Sequence, residues 1–270
     1  MIALKKVSLI GLLLCLSLSV MAEDGIFILS KTKTIESGGM ATSEIYLTAN
    51  KMLVKNSGTD NSSIIFDGST EVFTFIDNKK KEYYQFDKPT LMQLKEQIRM
   101  MAKMLQQFSA NMPAEQKAKF DQILNPRKGD MMIYKTNGKN DKIGSWRTTG
   151  YDGLDDGTKM LQMNIASYNT LGVKETEFAV MKQMMTYFKE NLQEVVALLP
   201  TGGSFSQLNF DDNSPILKDG IPVKTIAYKE GVAANENTIE SLSKKSISAD
   251  QFKIPAGYKQ QQINMQSMGR

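Results

Sequence analysis

Val72-Phe73-Thr74-Phe75-Ile76-Asp77-Asn78-Lys79-Lys80-Lys81-Glu82-Tyr83-Tyr84-Gln85-Phe86 sets two runs of β-branched and aromatic residues around a polar centre. The flanks suit a pleated strand, and Asp-Asn-Lys between them is turn chemistry. The stretch predicts a hairpin. The three lysines, the densest basic run of the chain, fall on its turn. Toward the N-terminus the same grammar recurs. Ile64-Ile65-Phe66 stops at Asp67-Gly68, Met52-Leu53-Val54 precedes Asn56-Ser57-Gly58, and Ile45 and Leu47 alternate with Glu44, Tyr46 and Thr48 before Ala49-Asn50. Strands this short and this close predict an antiparallel meander over 26–87. Parallel pairs need crossovers of about a dozen residues or more.

After Pro89-Thr90 the period changes. Leu91, Leu94, Ile98, Met101, Leu105 and Phe108 recur in steps of three and four, the stripe of an amphipathic helix. Pro113 interrupts it and a second, shorter helix is expected over Ala114 to Leu124. Strands are expected again at Met131 to Tyr134, around Trp146 to Tyr151, and at Met160 to Ala166. A long helix is expected over about 175–199, with the stripe Phe178, Met181, Met185, Phe188, Leu192, Val195 and Leu199. Strands then return at Phe205 to Phe210, Ile221 to Lys229 and Thr238 to Ser246, with a last extended piece from Phe252 to Tyr258 and a loose tail over 264–270.

The first 22 residues carry the parts of an export leader: Lys5 and Lys6, an apolar run from Val7 to Val20, and Val20-Met21-Ala22 before the polar Glu23-Asp24. The run is shorter than the roughly 20 residues of a spanning helix. A cleaved signal peptide over 1–22 and a periplasmic or secreted domain over 23–263 are therefore expected, with no transmembrane segment left after cleavage. Leu14 before Cys15 is too large for lipoprotein processing.

The chain has no histidine and a single cysteine, which lies in the leader. Triads that use an imidazole base are excluded, as are His/Cys zinc sites and disulfides in the mature domain. The 33 basic residues, less the two leader lysines, nearly balance the 29 acidic ones. That balance gives no footprint for nucleic acid. Asp152, Asp155 and Asp156 lie near Gly153 and Gly157 but lack the spacing and closing Glu of an EF-hand, and read as a loop. No carboxylate pair stands apart as acid and base, so the chain is expected not to be an enzyme.

Three stretches resemble a family of secreted bacterial proteins known as a domain of unknown function, itself similar to the periplasmic lipoprotein carriers. They are Glu44 to Val54 continuing through Ile64-Ile65-Phe66-Asp67-Gly68 to Tyr83, then Trp146-Arg147-Thr148-Thr149-Gly150-Tyr151, and Gly220-Ile221-Pro222-Val223 with the ending Phe252 to Tyr258. The resemblance implies an α+β fold: a curved antiparallel sheet, an incomplete β-barrel covered by helices, with a helical insertion at about 90–125. That insertion is richer in methionine than the carriers, so their cargo does not carry over.

Eighteen methionines stand out. Long thioether side chains mould to irregular apolar surfaces. The expected function is non-catalytic: a periplasmic binding or carrier protein for a lipid, acylated peptide or other hydrophobic ligand, with no cofactor. Ile45, Leu47, Phe73, Phe75, Tyr84, Met100, Met104 and Met184 are its candidate lining. Two alternatives use the same methionines. One is a cell-envelope interaction module that docks a protein partner on its helices. The other is Cu(I) binding by soft thioethers on one helical face, since Met100, Met101 and Met104 group on one helix and Met181, Met184 and Met185 on the other; replacing Met100, Met104 and Met184 would test it.

Overall fold

The computed structural model describes residues 22–58, 61–109, 132–192 and 214–262. The leader up to Met21, the expected helix Ala114 to Leu124, the expected strand Phe205 to Phe210, the end of the long helix beyond Leu192 and the tail lie outside these residues.

The first meander has six strands: β1 (Ala22–Thr34), β2 (Met40–Leu47), β3 (Lys51–Ser57), β4 (Ser62–Asp67), β5 (Val72–Asp77) and β6 (Glu82–Phe86). Each pairs antiparallel with the next. The second part holds β7 (Ile133–Thr136), a small hairpin β8 (Lys142–Ile143) with β9 (Trp146–Arg147), and then β10 (Thr149–Asp155), β11 (Thr158–Ala166), β12 (Ile221–Lys229) and β13 (Val232–Ser248). The two parts join where β1 pairs with β13 along its whole length, from Ala22 opposite Ser248 to Thr34 opposite Asn235, with one irregularity at Leu29/Ser30. The result is a 12-stranded sheet with β1 in its middle, in the order β14-β6-β5-β4-β3-β2-β1-β13-β12-β11-β10-β7, where β14 is Lys259–Gln260.

The sheet is the antiparallel one expected, and two features describe its edges. Among the described residues the edge strands β14 and β7 do not pair with each other, so the sheet stays open. The short β14 runs parallel to β6, against the antiparallel rule of every other neighbour in that sheet.

Helices cover the sheet only in part. Helix α1 (Lys88–Ser109) buries Leu91 and Leu94 at 2% exposure each, while Met92, Met100 and Met104 are exposed. At about 100° per residue, those methionines fall on the side opposite the two leucines. A one-turn helix α2 (Tyr168–Leu171) follows β11, capped by the Ser167 side chain and ended by Gly172 in the left-handed region. The expected long helix begins as a 3-10 turn over Glu175–Phe178, continues as α3 (Ala179–Tyr187) and widens to a π turn over Phe188–Leu192. Phe178, Val180, Tyr187 and Phe188 are all buried. This helical segment spans several strands: Glu177 pairs with Lys244 of β13 at 3.0 Å, and the Tyr187 hydroxyl donates to the Phe86 carbonyl of β6 at 2.8 Å. Between those ends, the Gln183 amide donates to the Gly68 carbonyl at 2.8 Å.

Burial pushes the Tyr187 hydroxyl up to about 12, with the Asp87 and Glu71 carboxylates adding to the effect. Burial likewise lifts Tyr46 and Tyr168 to about 12, reinforced by Glu44 and by Glu175 respectively. An unfolded tyrosine ionises near 10. Protonated tyrosine is favoured in the folded state, so the stability linked to these groups is intact below about pH 10 and is lost as pH rises toward about 12. Urea midpoints measured across that window are expected to fall. The fall should be shallower in Tyr187→Phe, and an identical slope would refute the assignment to this residue.

Candidate functional site

Strand register sorts the inner side chains into rows that run across the strands. One row is Ile26, Leu47, Met52, Phe66, Phe73 and Phe86, each opposite the next. It is the floor beneath the π end of the helical segment: Phe66 meets the Tyr187 ring at 5.6 Å, and Phe73 meets Phe188 edge-on at 4.9 Å. Leu47 and Phe66 have no exposed surface. From Ile26 to Phe73 this row is sealed core, and Phe86 at its β6 end is half-buried.

Two residues along each strand lies a second row: Ile28, Ile45, Val54, Ile64, Phe75 and Tyr84. Ile28 is buried; the other five are half-buried. Ile45, Val54, Ile64 and Phe75 pack against the same core cluster as Met181, Met184 and Met185 of α3. With neighbouring strands ~4.8 Å apart, six strands give this apolar strip a length of about 24 Å.

One further step along the strands the inner face turns polar. Ser30 lies opposite Ser43, and Ser43 opposite Asn56. The Ser43 hydroxyl donates to Asn56 Oδ1 at 2.8 Å, and Asn56 Nδ2 donates to Ser62 Oγ at 3.3 Å. The strip is thus bounded by a closed apolar floor on one side and a hydrogen-bonded polar margin on the other. At the far ends of β3 and β4, beyond the sealed row, Lys51 and Asp67 pair at 2.8 Å. Burial acts to raise the Asp67 carboxyl, but Lys51 and the amides of Ser69 and Thr70 outweigh it and hold it below its ordinary value.

Of the expected lining, Ile45, Phe75 and Tyr84 fall together in the half-buried row. Leu47 and Phe73 share their face but belong to the sealed row. Met184 packs on the core from α3. Met100 and Met104, each 56% exposed, stand on the solvent side of α1, turned away from the core that Met184 joins. Asp152 is engaged by Lys159 at 3.0 Å and by Asn137 Nδ2 at 3.0 Å. Sequence reading missed Ile28, Val54 and Ile64. Their signal was cross-strand register: once the hairpin turns are fixed, Val54 and Ile64 must lie between Ile45 and Phe75.

The opposite face carries a smaller core. Tyr46, Leu53, Ile65, Ile76 and Ile247 are buried there against Phe252, with Phe27, Tyr83, Ile254 and Tyr258 at its margin. Strands β2 to β5 are therefore apolar on both faces.

No protein-family model and no curated protein matches the chain. Solved structures similar to it include an uncharacterized conserved protein from Thermus thermophilus, with TM-score 0.44 and 5% identity, over 89% of this chain and 91% of that one. PNGF-II in a C2 crystal form gives TM-score 0.39 and 8% identity, over 91% of this chain and 32% of that one. MucB in complex with MucA(peri) gives TM-score 0.38 and 8% identity, over 86% of this chain and 55% of that one.

Proposed function

We propose that this chain is a non-catalytic binding protein of the cell envelope that holds a hydrophobic ligand, an acyl chain or an acylated peptide, against the inner face of β1 to β6. One observation carries the reading. Six successive strands contribute an apolar side chain to one strip, and five of the six keep part of their surface exposed while the adjacent row is buried from Ile26 to Phe73. A strip of about 24 Å exceeds the ~15 Å that one acyl chain occupies in half of a bilayer core. The methionines of α3 beside it adapt to ligands of differing shape at little cost in strain. Among the described residues no helix is long and apolar enough to cross a membrane.

Titration with a fluorescent long-chain fatty acid tests the site. Ile64→Glu combined with Phe75→Glu is expected to weaken binding about a hundredfold, because the ligand would have to desolvate two carboxylates. Val232→Glu, at a residue 70% exposed and far from the strip, should leave affinity unchanged. Equal affinity in all three proteins would remove the strip as the site. A protein-docking reading has its own observation: Met92, Met100 and Met104 are 62%, 56% and 56% exposed on one side of α1. Met100→Glu with Met104→Glu should then abolish cross-linking to an envelope protein while fatty-acid binding persists.

A further inference from the structure

The chain beyond β13 crosses the outer face to the far edge of the sheet. After Ser248 it makes a 3-10 turn over Ala249–Phe252, buries Phe252 against Tyr46, Leu53, Ile65 and Ile76, lays Ile254 and Tyr258 on the same cluster, and reaches β6 as β14. Its fastenings at β6 are polar. The Lys259 amide donates to the Lys81 carbonyl at 3.0 Å and the Gln261 amide to the Tyr83 carbonyl at 2.9 Å. The Tyr258 hydroxyl donates to Asn78 Oδ1 at 3.2 Å, Gln260 Nε2 to Gln85 Oε1 at 3.1 Å, and Gln261 Nε2 to Glu82 Oε1 at 2.9 Å.

The anchor is apolar, but the strand itself is slight. It has two residues, Lys259 and Gln260, both exposed, lying opposite Glu82 and Tyr83 in the parallel sense. Both inner rows run out at β6, in Tyr84 and Phe86, which are half-buried. Neither residue of β14 offers them an apolar neighbour. A short guard of this kind blocks edge-to-edge association without filling the edge.

We propose that the outer edge of β6 is a docking site for an extended segment of a partner polypeptide, and that β14 is the displaceable strap that holds it closed. The fitting segment is an antiparallel strand with apolar side chains at alternate positions. Those beside Tyr84 and Phe86 prolong the two inner rows, and the side chains between them are polar. An antiparallel ladder is slightly more stable per residue than a parallel one. Such a strand can run along all five residues of β6, where β14 meets two. Main-chain bonds supply the affinity and the alternate apolar contacts the specificity. This edge adjoins the inner strip at Tyr84 but is held through the β6 backbone, so either assignment can fail without the other.

The test uses the full chain and a labelled short peptide of alternating threonine and valine, with a peptide of the same composition and adjacent valines as control. Lys259→Pro with Gln261→Pro removes both backbone donors of the strap. Lys259→Ala with Gln261→Ala keeps them and loses only the side chains. By fluorescence anisotropy, the alternating peptide is expected to bind the proline variant about tenfold tighter than wild type or the alanine variant, since two backbone hydrogen bonds no longer compete. The control peptide should show no such gain. Equal binding by all three proteins overturns the proposal. So does a proline variant that doubles in mass and ignores the peptide, because the edge then takes a second copy of this chain. Should the double proline variant lose its circular dichroism, Gln261→Pro alone decides: tighter binding than wild type supports the strap and unchanged binding overturns it.

Discussion

Phe66→Ala is expected to lower the free energy of unfolding by about 3–5 kcal/mol, a large part of the 5–15 kcal/mol typical of a folded domain. Phe66 has no exposed surface. It sits between Met52 and Phe73 on the sheet and beneath Tyr187 of the helical segment. Removing its ring leaves a cavity where sheet and helix meet, and the neighbouring strands are held by ladders that limit collapse. Ile64→Ala, two residues away on the same strand and face, should cost roughly half as much or less, because Ile64 is only half-buried and belongs to the strip. Urea unfolding of the two variants measures the contrast. Similar losses would mean that the two rows are equally sealed, which would also undercut the proposed ligand strip.

Gly220→Ala is the second large effect, expected to cost about 2–4 kcal/mol from backbone strain together with overpacking. Gly220 has φ +148, a region that side-chain-bearing residues rarely enter, and an added Cβ would lie 2.0 Å from the Ala166 carbonyl oxygen. That oxygen is backbone at the end of β11 and has no rotamer through which to escape. The Gly220 carbonyl also accepts from the Leu217 amide at 2.9 Å, which closes the turn that leads into β12. The strain should appear as a lower thermal midpoint, with faster amide exchange at Ile221 and Val223 where β12 begins. Exchange unchanged there, with the midpoint retained, would show that the turn relaxes without disturbing the strand.

Much of the meander is legible in residues that are neighbours along the chain. Asp77-Asn78-Lys79 and Asp67-Gly68 fix where strands reverse, and each tight reversal also fixes which residue faces which. Alternation around those turns puts Ile45, Phe75 and Tyr84 on one face without any coordinates. The distinction between them and Leu47 or Phe73 is not available at that level. It depends on where the helical segment lies across the sheet, and the spacing of Phe178 and Phe188 reveals burial but not position. The methionines of α1 show the same limit. Their number suggests a greasy lining, while Leu91 and Leu94 turn Met92, Met100 and Met104 to solvent.

Local chemistry thus settles the strands, their turns and the alternation of faces, because turn geometry and side-chain periodicity act over a few residues. The pairing of β1 with β13, the open edges of the sheet and the parallel contact of β14 with β6 belong to the folded chain. Ala22 and Ser248 meet through a ladder whose partners are separated by most of the sequence. Backbone amides and carbonyls are alike at every position. Which edges meet is decided by the apolar rows that the finished sheet and its crossing helical segment bury together.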